Sequence, residues 1–209
     1  MTMSRAAALR LAFVLPALLA ASLALPAVGQ ALDDEAKEVV KLFATAYGDE
    51  CTWDSPDSAL DNPPRRWPLS WALSYSDEIE SATLYELYCF SGAYNSSYAY
   101  YLVPAEDYYP IQSLAFAEPE FEVVYENDDF EGAVEDIVIE GMTAKTLLIN
   151  PVFDPDTGTL TEYAYWRGLG DASSVGVWRF DEGRFVLKTY DVDASYDGEV
   201  NPTRLVDYE

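Results

Sequence analysis

Oxygen-bearing side chains crowd the segment DVDASYDGE, residues 191–199. The three aspartates are Asp191, Asp193 and Asp197, and Ser195 adds a hydroxyl at the same two-residue spacing. A calcium ion is held by about six to eight oxygens, which proteins gather from closely spaced carboxylates, hydroxyls and carbonyls. The segment is therefore a candidate calcium site, with Asp191, Asp193 and Asp197 as its metal ligands.

The same segment also has the composition of a solvated turn. An EF-hand loop needs glycine at its sixth position, where this sequence has Tyr196, and no predicted helix flanks the segment. We therefore favour a solvated acidic turn and keep calcium binding as the alternative. A second acidic stretch, DPDTG at residues 154–158, is better explained as a hairpin turn, because proline, aspartate and glycine each favour turn geometry there.

Histidine is absent from the 209 residues. Without an imidazole the chain cannot build a Ser-His-Asp triad or an HExxH zinc site, so most familiar hydrolase and metalloenzyme designs are excluded. A glycoside hydrolase needs only two carboxylates, but nothing in the spacing of the 37 acidic residues singles out a pair. An enzyme of this kind is the less favoured alternative, and no catalytic residue or cofactor other than calcium is predicted.

Twelve basic residues against 37 acidic ones give a formal charge of −25. Such a charge repels polyanions, so we expect neither nucleic acids nor anionic lipid surfaces as partners. The simplest interpretation, which requires no specific partner, is that the charge keeps the protein soluble. An envelope protein or a glycan remains as the partner class, and we expect a monomer.

The first 31 residues have the three-part pattern of a secretory signal peptide. Arg5 and Arg10 precede an apolar run from Leu11 to Leu25, and small residues follow up to Ala31. No stretch reaches the roughly 18 apolar residues of a membrane span. We predict signal peptide 1–31, one domain over 32–209, and a periplasmic or secreted location. Outside the reducing cytoplasm, Cys51 and Cys89 are expected to form a disulfide.

The order of elements follows from periodicity. Residues 32–48 predict one amphipathic helix, with Asp33 or Asp34 as N-cap, Gly48 as stop, and an apolar stripe at Ala36, Val39, Val40, Phe43, Ala46 and Tyr47. Residues 49–68 predict a proline-rich loop, which we expect to pack through Trp53 and Trp67 together with Trp71, just beyond its end.

Residues 69–209 contain nine short segments rich in aromatic and β-branched residues. These candidate strands cover 69–75, 82–90, 98–103, 111–117, 121–126, 135–141, 159–166, 175–180 and 184–190. The fold class is therefore mainly β, an antiparallel meander forming two packed sheets or a barrel, with the helix on an edge or end. Tyr94, Tyr98 and Tyr100 share one face of their strand, either as a sugar-stacking row or, as we favour, in packing.

Several segments carry a family resemblance. CFSGAYNSSYAYYLV, LAFAEPEFEVVYENDDFEG and the run WRGLGD with its following Trp178 strand resemble the bacterial exported proteins of domain-of-unknown-function family 1176, over most of residues 85–209. Many members carry a cysteine just after the Gly-Asp pair and another in the C-terminal loop, where this sequence has Ala172 and Tyr196. The resemblance thus implies the loss of one disulfide, and we predict a C-terminal hairpin held by packing alone.

The resemblance supports envelope location and fold more than function. The sequence therefore predicts a soluble, exported envelope protein without enzymatic activity, acting by binding or as a structural component. The alternatives are a calcium-binding β module and a carboxylate-based glycoside hydrolase.

Overall fold

The computed structural model describes residues 32–48, 50–51, 62–106, 109–130 and 132–208. The predicted signal peptide, Trp53 and most of the first half of the predicted loop lie outside these residues. Helix α1 covers Asp34–Tyr47. The strands are β1 (Arg65–Ala72), β2 (Ile79–Ser91), β3 (Ser96–Pro104), β4 (Gln112–Ser113), β5 (Phe116–Tyr125), β6 (Val134–Lys145), β7 (Leu147–Ile149), β8 (Val152–Asp154), β9 (Thr159–Tyr165), β10 (Ser173–Asp181), β11 (Arg184–Asp193) and β12 (Thr203–Asp207).

All pairings between these strands are antiparallel. The first sheet has the order β1-β2-β3-β4 with β7 also beside β3, and the second is the meander β12-β11-β10-β9-β8. Strands β5 and β6 form a separate long hairpin. The predicted fold class, mainly β with antiparallel sheets, is confirmed. Of the two predicted architectures the packed sheets are present, because none of the sheets formed by the described residues closes into a barrel.

The main core lies between the two five-stranded sheets. Leu84 and Tyr100 from the first sheet are fully buried with Leu160 and Trp178 from the second. Phe116, at the start of the β5-β6 hairpin, completes this core with edge-on contacts to the rings of Tyr100 and Trp178. These three rings come from the hairpin, the first sheet and the second sheet, and edge-to-face contacts between them bury much apolar area. The aromatic cluster therefore holds the three sheets together.

The outer face of the first sheet is covered by helix α1. The Asp33 carboxylate caps the helix by accepting a hydrogen bond from the Ala36 N–H at 2.9 Å, as predicted. Val39 and Phe43 are fully buried against β2 and β3, whereas Ala46, predicted to be buried, is exposed. The helix therefore covers a sheet face, and its predicted placement at an edge or end was wrong.

The disulfide between Cys51 and Cys89 is confirmed, with 4.6 Å between the two Cα atoms. It joins the segment after α1 to strand β2, beside the apolar contacts of the helix. The described part of the chain holds no helix with the length and apolar character needed to cross a membrane.

Strand β1 begins at Arg65, inside the segment predicted as loop. Pro68 is tolerated there because β1 is an edge strand, where the missing N–H breaks no ladder on the outer side. Alternation places Trp67 and Trp71 on the core side, where both are partly buried. These two tryptophans pack as predicted, but they do so from a strand.

The prediction of one strand over residues 111–117 was also wrong. The chain leaves the first sheet after β4 and enters the hairpin at Phe116, so the segment is divided between two sheets. Leu114, at the crossing, keeps its N–H satisfied by the Tyr100 carbonyl at 2.9 Å. Strands β7, β8 and β12 were not predicted, because at three to five residues they show too little alternation to be recognised.

Candidate functional site

The three predicted metal ligands lie in different surroundings. Asp191 pairs with Arg204, whose Nε and Nη2 lie 2.5 and 3.1 Å from its two carboxylate oxygens. Asp193 is buried and accepts hydrogen bonds from the Ser195 hydroxyl at 2.7 Å and the Asn201 N–H at 2.5 Å. Asp197 accepts from the Glu199 N–H at 2.8 Å. Each carboxylate therefore organises its own turn or ion pair.

Only two of the three ligands share a cleft. Asp193 and Asp197 line a depression of about 450 Å³ beside Ile137 and Tyr196, and Asp191 is not part of its lining. Within the ranges that the structure covers, no three acidic or cysteine side chains are grouped closely enough to hold a metal ion. Calcium binding thus stays a prediction from sequence spacing.

A polar clamp holds the C-terminal loop. The guanidinium of Arg167 forms an ion pair with the buried carboxylate of Asp171 and donates from Nη2 to the Tyr196 carbonyl at 2.8 Å. Asp171 in turn accepts from the Gly198 N–H at 2.9 Å. The expectation that packing alone holds this hairpin was therefore wrong, since Arg167 and Asp171 connect it to the β9-β10 turn. Asp171 directly precedes Ala172, and Arg167 binds the carbonyl of Tyr196. The clamp therefore connects the two positions at which the resemblance implies a lost disulfide.

Replacing Asp171 with asparagine should open this loop locally. Hydrogen bonds from Arg167 hold the pKa of Asp171 well below its ordinary value, so the carboxylate stays charged through about pH 4 to 7. A group with a lowered pKa stabilises the fold above its unfolded pKa, and the contribution is lost only as the pH falls through the lower folded value. Asparagine removes the charge, and the Gly198 amide should exchange its hydrogen about tenfold faster.

Hydrogen exchange followed by NMR measures this effect residue by residue. Asp154→Asn is the matched control, because Asp154 also accepts turn hydrogen bonds, from the Asp156 N–H and the Thr157 hydroxyl. Unchanged exchange at Gly198 in Asp171→Asn, or equal acceleration in the control, would contradict the clamp. The same contacts confirm that residues 154–158 form a hairpin turn, with Gly158 at a φ of 66°.

A cleft lined by aromatic side chains lies where the two sheets meet at the tips of their hairpins. Its lining includes Trp71, Tyr75 and Tyr109, with a volume of about 290 Å³. Tyr75 is 81% exposed, and Trp71 is half-buried. Glu80, Gln112 and Glu182 provide polar groups in the same lining. We call this the aromatic cleft.

Two turns position the aromatic cleft. The β10-β11 turn has only two central residues, Glu182 and Gly183, with φ values of 45° and 84°. Positive φ at both positions is the geometry of the tight hairpin turn that favours glycine. The Ser74 N–H donates to the Glu182 carboxylate at 2.7 Å and so ties the β1-β2 turn to the other sheet.

Close packing fixes the tryptophan of the cleft. Its ring meets Phe180 edge-on with centroids 5.2 Å apart. A Cβ at Gly183 would lie 3.3 Å from the Trp71 ring, so glycine allows the turn to lie directly against it. The Trp71 ring is therefore held in place by both sheets.

One family model matches residues 14–199, that of the proteins of unknown function DUF1176. The chain belongs to this family. No curated protein and no solved structure matches it. The match includes both cysteines of the disulfide, the aromatic cleft and the Arg167–Asp171 clamp of this DUF1176 protein.

Besides Asp171 and Asp193, two glutamates are buried in the described part of the DUF1176 fold, Glu86 and Glu162. Glu86 accepts from the Tyr100 hydroxyl at 2.5 Å and from Arg65 Nε at 2.6 Å. Burial raises the pKa of Glu86, and burial also raises the pKa of Tyr100 well above its ordinary value. These partners satisfy the Glu86 carboxylate inside the first sheet, and it does not line the aromatic cleft.

The second buried glutamate, Glu162, belongs to a cluster with Lys145 and Glu118. Lys145 Nζ lies 2.5 Å from a carboxylate oxygen of each glutamate, and the Ile149 N–H donates to Glu162 at 2.7 Å. Burial raises the pKa of Glu162. Burial alone would lower the pKa of Lys145, but the charge of Glu162 raises it instead. The cluster stabilises the junction of β6 and β9.

Sequence reasoning missed the cleft of this DUF1176 protein. Trp71 was predicted only as a packing residue, and Tyr75 and Tyr109 were not singled out. The packing role favoured for the tyrosine row is confirmed for Tyr100, which is fully buried, and for Tyr98, which packs partly against the core. Tyr94 precedes β3 and is 45% exposed, so it does not share the strand face. No local signal marks the site, because Tyr75 ends a candidate strand in the sequence and its exposure follows only from the β1-β2 turn of the structure.

Proposed function

We propose that this protein is a soluble, exported envelope protein that binds a glycan in the aromatic cleft. The predicted signal peptide supports export. The disulfide between Cys51 and Cys89 supports an oxidising compartment, because cytosolic proteins rarely keep structural disulfides. The periplasm or the extracellular space fits both features.

One observation carries the proposal, the presence in one cleft of three aromatic rings from two separate segments, the end of β1 with its turn and the segment before β4. Trp71, Tyr75 and Tyr109 present flat apolar surfaces, which pack well against the C–H faces of sugar rings. The nearby carboxylates and the amide of Gln112 provide acceptors and donors for sugar hydroxyls. Apolar walls with a few oriented polar groups are the usual design of a ligand site.

The charge of the protein narrows the type of glycan. A formal charge of −25 disfavours the approach of a polyanion. Glu80 and Glu182 add negative charge at the cleft itself. Neutral sugars and sugars with amide or amino substituents are therefore the favoured ligands.

Replacing Tyr75 with alanine should weaken glycan binding about tenfold, because a stacking ring is lost. The melting temperature should stay unchanged, since Tyr75 is 81% exposed. Soluble N-acetylglucosamine oligosaccharides are the probe in solution, and binding is followed by calorimetry and by the intrinsic tryptophan fluorescence of the protein. Cosedimentation with chitin, a neutral polymer of N-acetylglucosamine, tests the polymeric form.

Tyr208→Ala is the matched control, because Tyr208 is 60% exposed and lies outside the cleft. The control should bind like the wild type. Absence of binding to either probe, or equal weakening in the control, would contradict a role for the cleft. Release of shortened sugars during the titration would instead identify a glycoside hydrolase, for which Glu80 and Glu182 supply two carboxylates in one cleft.

A further inference from the structure

Positive charge that is not paired collects on one hairpin of this acidic protein. Of the ten lysines and arginines in the part of the chain that the structure describes, six form ion pairs with carboxylates. The four others are Lys41, Arg179, Arg184 and Lys188. Three of these four lie on the β10-β11 hairpin.

The register of the second sheet brings two of these cations to the same outer face. Arg179 lies opposite Thr159 on β9 and Val186 on β11. A bulge after Val177 leaves Lys188 as the extra residue on β11, two positions from Val186. The fully buried Trp178 points the other way, into the core.

Arg179 and Lys188 line a cleft of about 630 Å³ on this face. Its other lining residues are Asp156, Thr157, Thr159 and Val177. The cleft thus combines two cations, two hydroxyls and one carboxylate. We call it the cationic cleft, and none of its lining residues belongs to the aromatic cleft.

This combination fits a single oxyanion. A guanidinium presents parallel N–H donors that match the two oxygens of a carboxylate or phosphate. The Lys188 ammonium and the Thr159 hydroxyl add donors around the remaining oxygens, whereas the Thr157 hydroxyl already donates to Asp154. We propose that Arg179 and Lys188 form a binding site for one carboxylate or phosphate group, separate from the proposed glycan site.

The surroundings limit the size of the anion. The protein as a whole carries a formal charge of −25, so an extended polyanion meets repulsion beyond the cleft. A small anion, or one anionic group on a larger neutral molecule, is attracted by the two cations at short range. Asp156, in the lining of the cleft, repels a second negative charge and so favours single occupancy.

Backbone amide NMR of the purified protein tests the proposal, with inorganic phosphate and succinate as separate probes at constant ionic strength. We expect saturable shifts at Thr157, Thr159 and Val177. Arg179→Gln and Lys188→Gln should each weaken binding about tenfold through loss of a charge-assisted contact. Tighter binding of phosphate or of succinate identifies the chemical source of the anion.

Lys41→Gln is the control, since it removes the same charge from another unpaired cation on α1. It should change the affinity less than about twofold. Unchanged amide shifts away from the cleft verify that each variant is folded. Shifts that do not saturate, or equal weakening in Lys41→Gln, would show that only screening is measured and would overturn the site.

Discussion

Replacing Lys145 with methionine should lower the free energy of unfolding by about 3–5 kcal/mol at pH 7. Lys145 Nζ lies 2.5 Å from carboxylate oxygens of Glu118 and Glu162, and Glu162 is fully buried. Without the ammonium, the Glu162 carboxylate is left charged in an apolar environment. Urea denaturation followed by circular dichroism measures the loss.

The penalty should shrink as the pH falls. Burial already raises the pKa of Glu162 in the wild type, and removal of Lys145 takes away the cation that opposes this rise. A group whose pKa is raised on folding contributes stability below its unfolded pKa and loses it as the pH rises through the folded value. The difference between Lys145→Met and the wild type should therefore be smaller at about pH 4 than at pH 7.

The double variant Lys145→Met/Glu162→Gln separates charge from packing. A glutamine still accepts the hydrogen bond that the Ile149 N–H donates to Glu162, but it carries no charge. Most of the lost stability should return in the double variant. A loss that is independent of pH and not rescued by glutamine would mean that Lys145 acts only through the packing of its methylene chain.

Replacing Trp178 with alanine should lower the free energy of unfolding by about 3–5 kcal/mol, because its indole fills the centre of the core. The ring is fully buried, contacts Phe116 edge-on at 5.5 Å, and donates its Nε1–H to the Ala117 carbonyl at 2.8 Å. Loss of the side chain leaves a cavity and an unsatisfied carbonyl at the junction of the hairpin and the second sheet. Denaturation curves give the difference directly.

Gly176 allows a double-mutant cycle at the same position. The indole lies over Gly176 on the same face of β10, and a Cβ there would overlap the ring. Gly176→Ala should therefore lower the free energy of unfolding by about 1–3 kcal/mol when Trp178 is present. In the Trp178→Ala background the same substitution should lower it by less than about 0.5 kcal/mol. If the stability losses of the two single variants added up in the double variant, the packing of the indole would not depend on the absence of a Cβ at Gly176.

The helix and the longer strands could be predicted because their signals are local. Asp33 is followed by an apolar stripe of helical period, and the alternation around Tyr100 and Tyr101 correctly assigns these residues to opposite faces. Strand β12 could not be recognised, since it is an edge strand of five residues in which Thr203, Arg204 and Asp207 are exposed and only Val206 is buried. Its place in the sheet depends on pairing with β11.

The candidate sites were less predictable because they join distant segments. Asp191 was interpreted with its sequence neighbours, but its partner Arg204 is 13 positions away on the adjacent strand. The aromatic cleft takes Trp71, Tyr109 and Gly183 from three parts of the chain. No spacing rule connects such positions until the pairing of hairpins is known.

The Arg167–Asp171 clamp has a consequence for the maturation of this protein. The C-terminal loop is held by an ion pair and hydrogen bonds and needs no disulfide of its own. The two cysteines of the sequence allow one intramolecular pairing. Shuffled isomers within one chain cannot arise, so a single oxidation completes the covalent structure and a disulfide isomerase has nothing to correct. A reducing agent should release the end of helix α1 while the C-terminal loop stays in place.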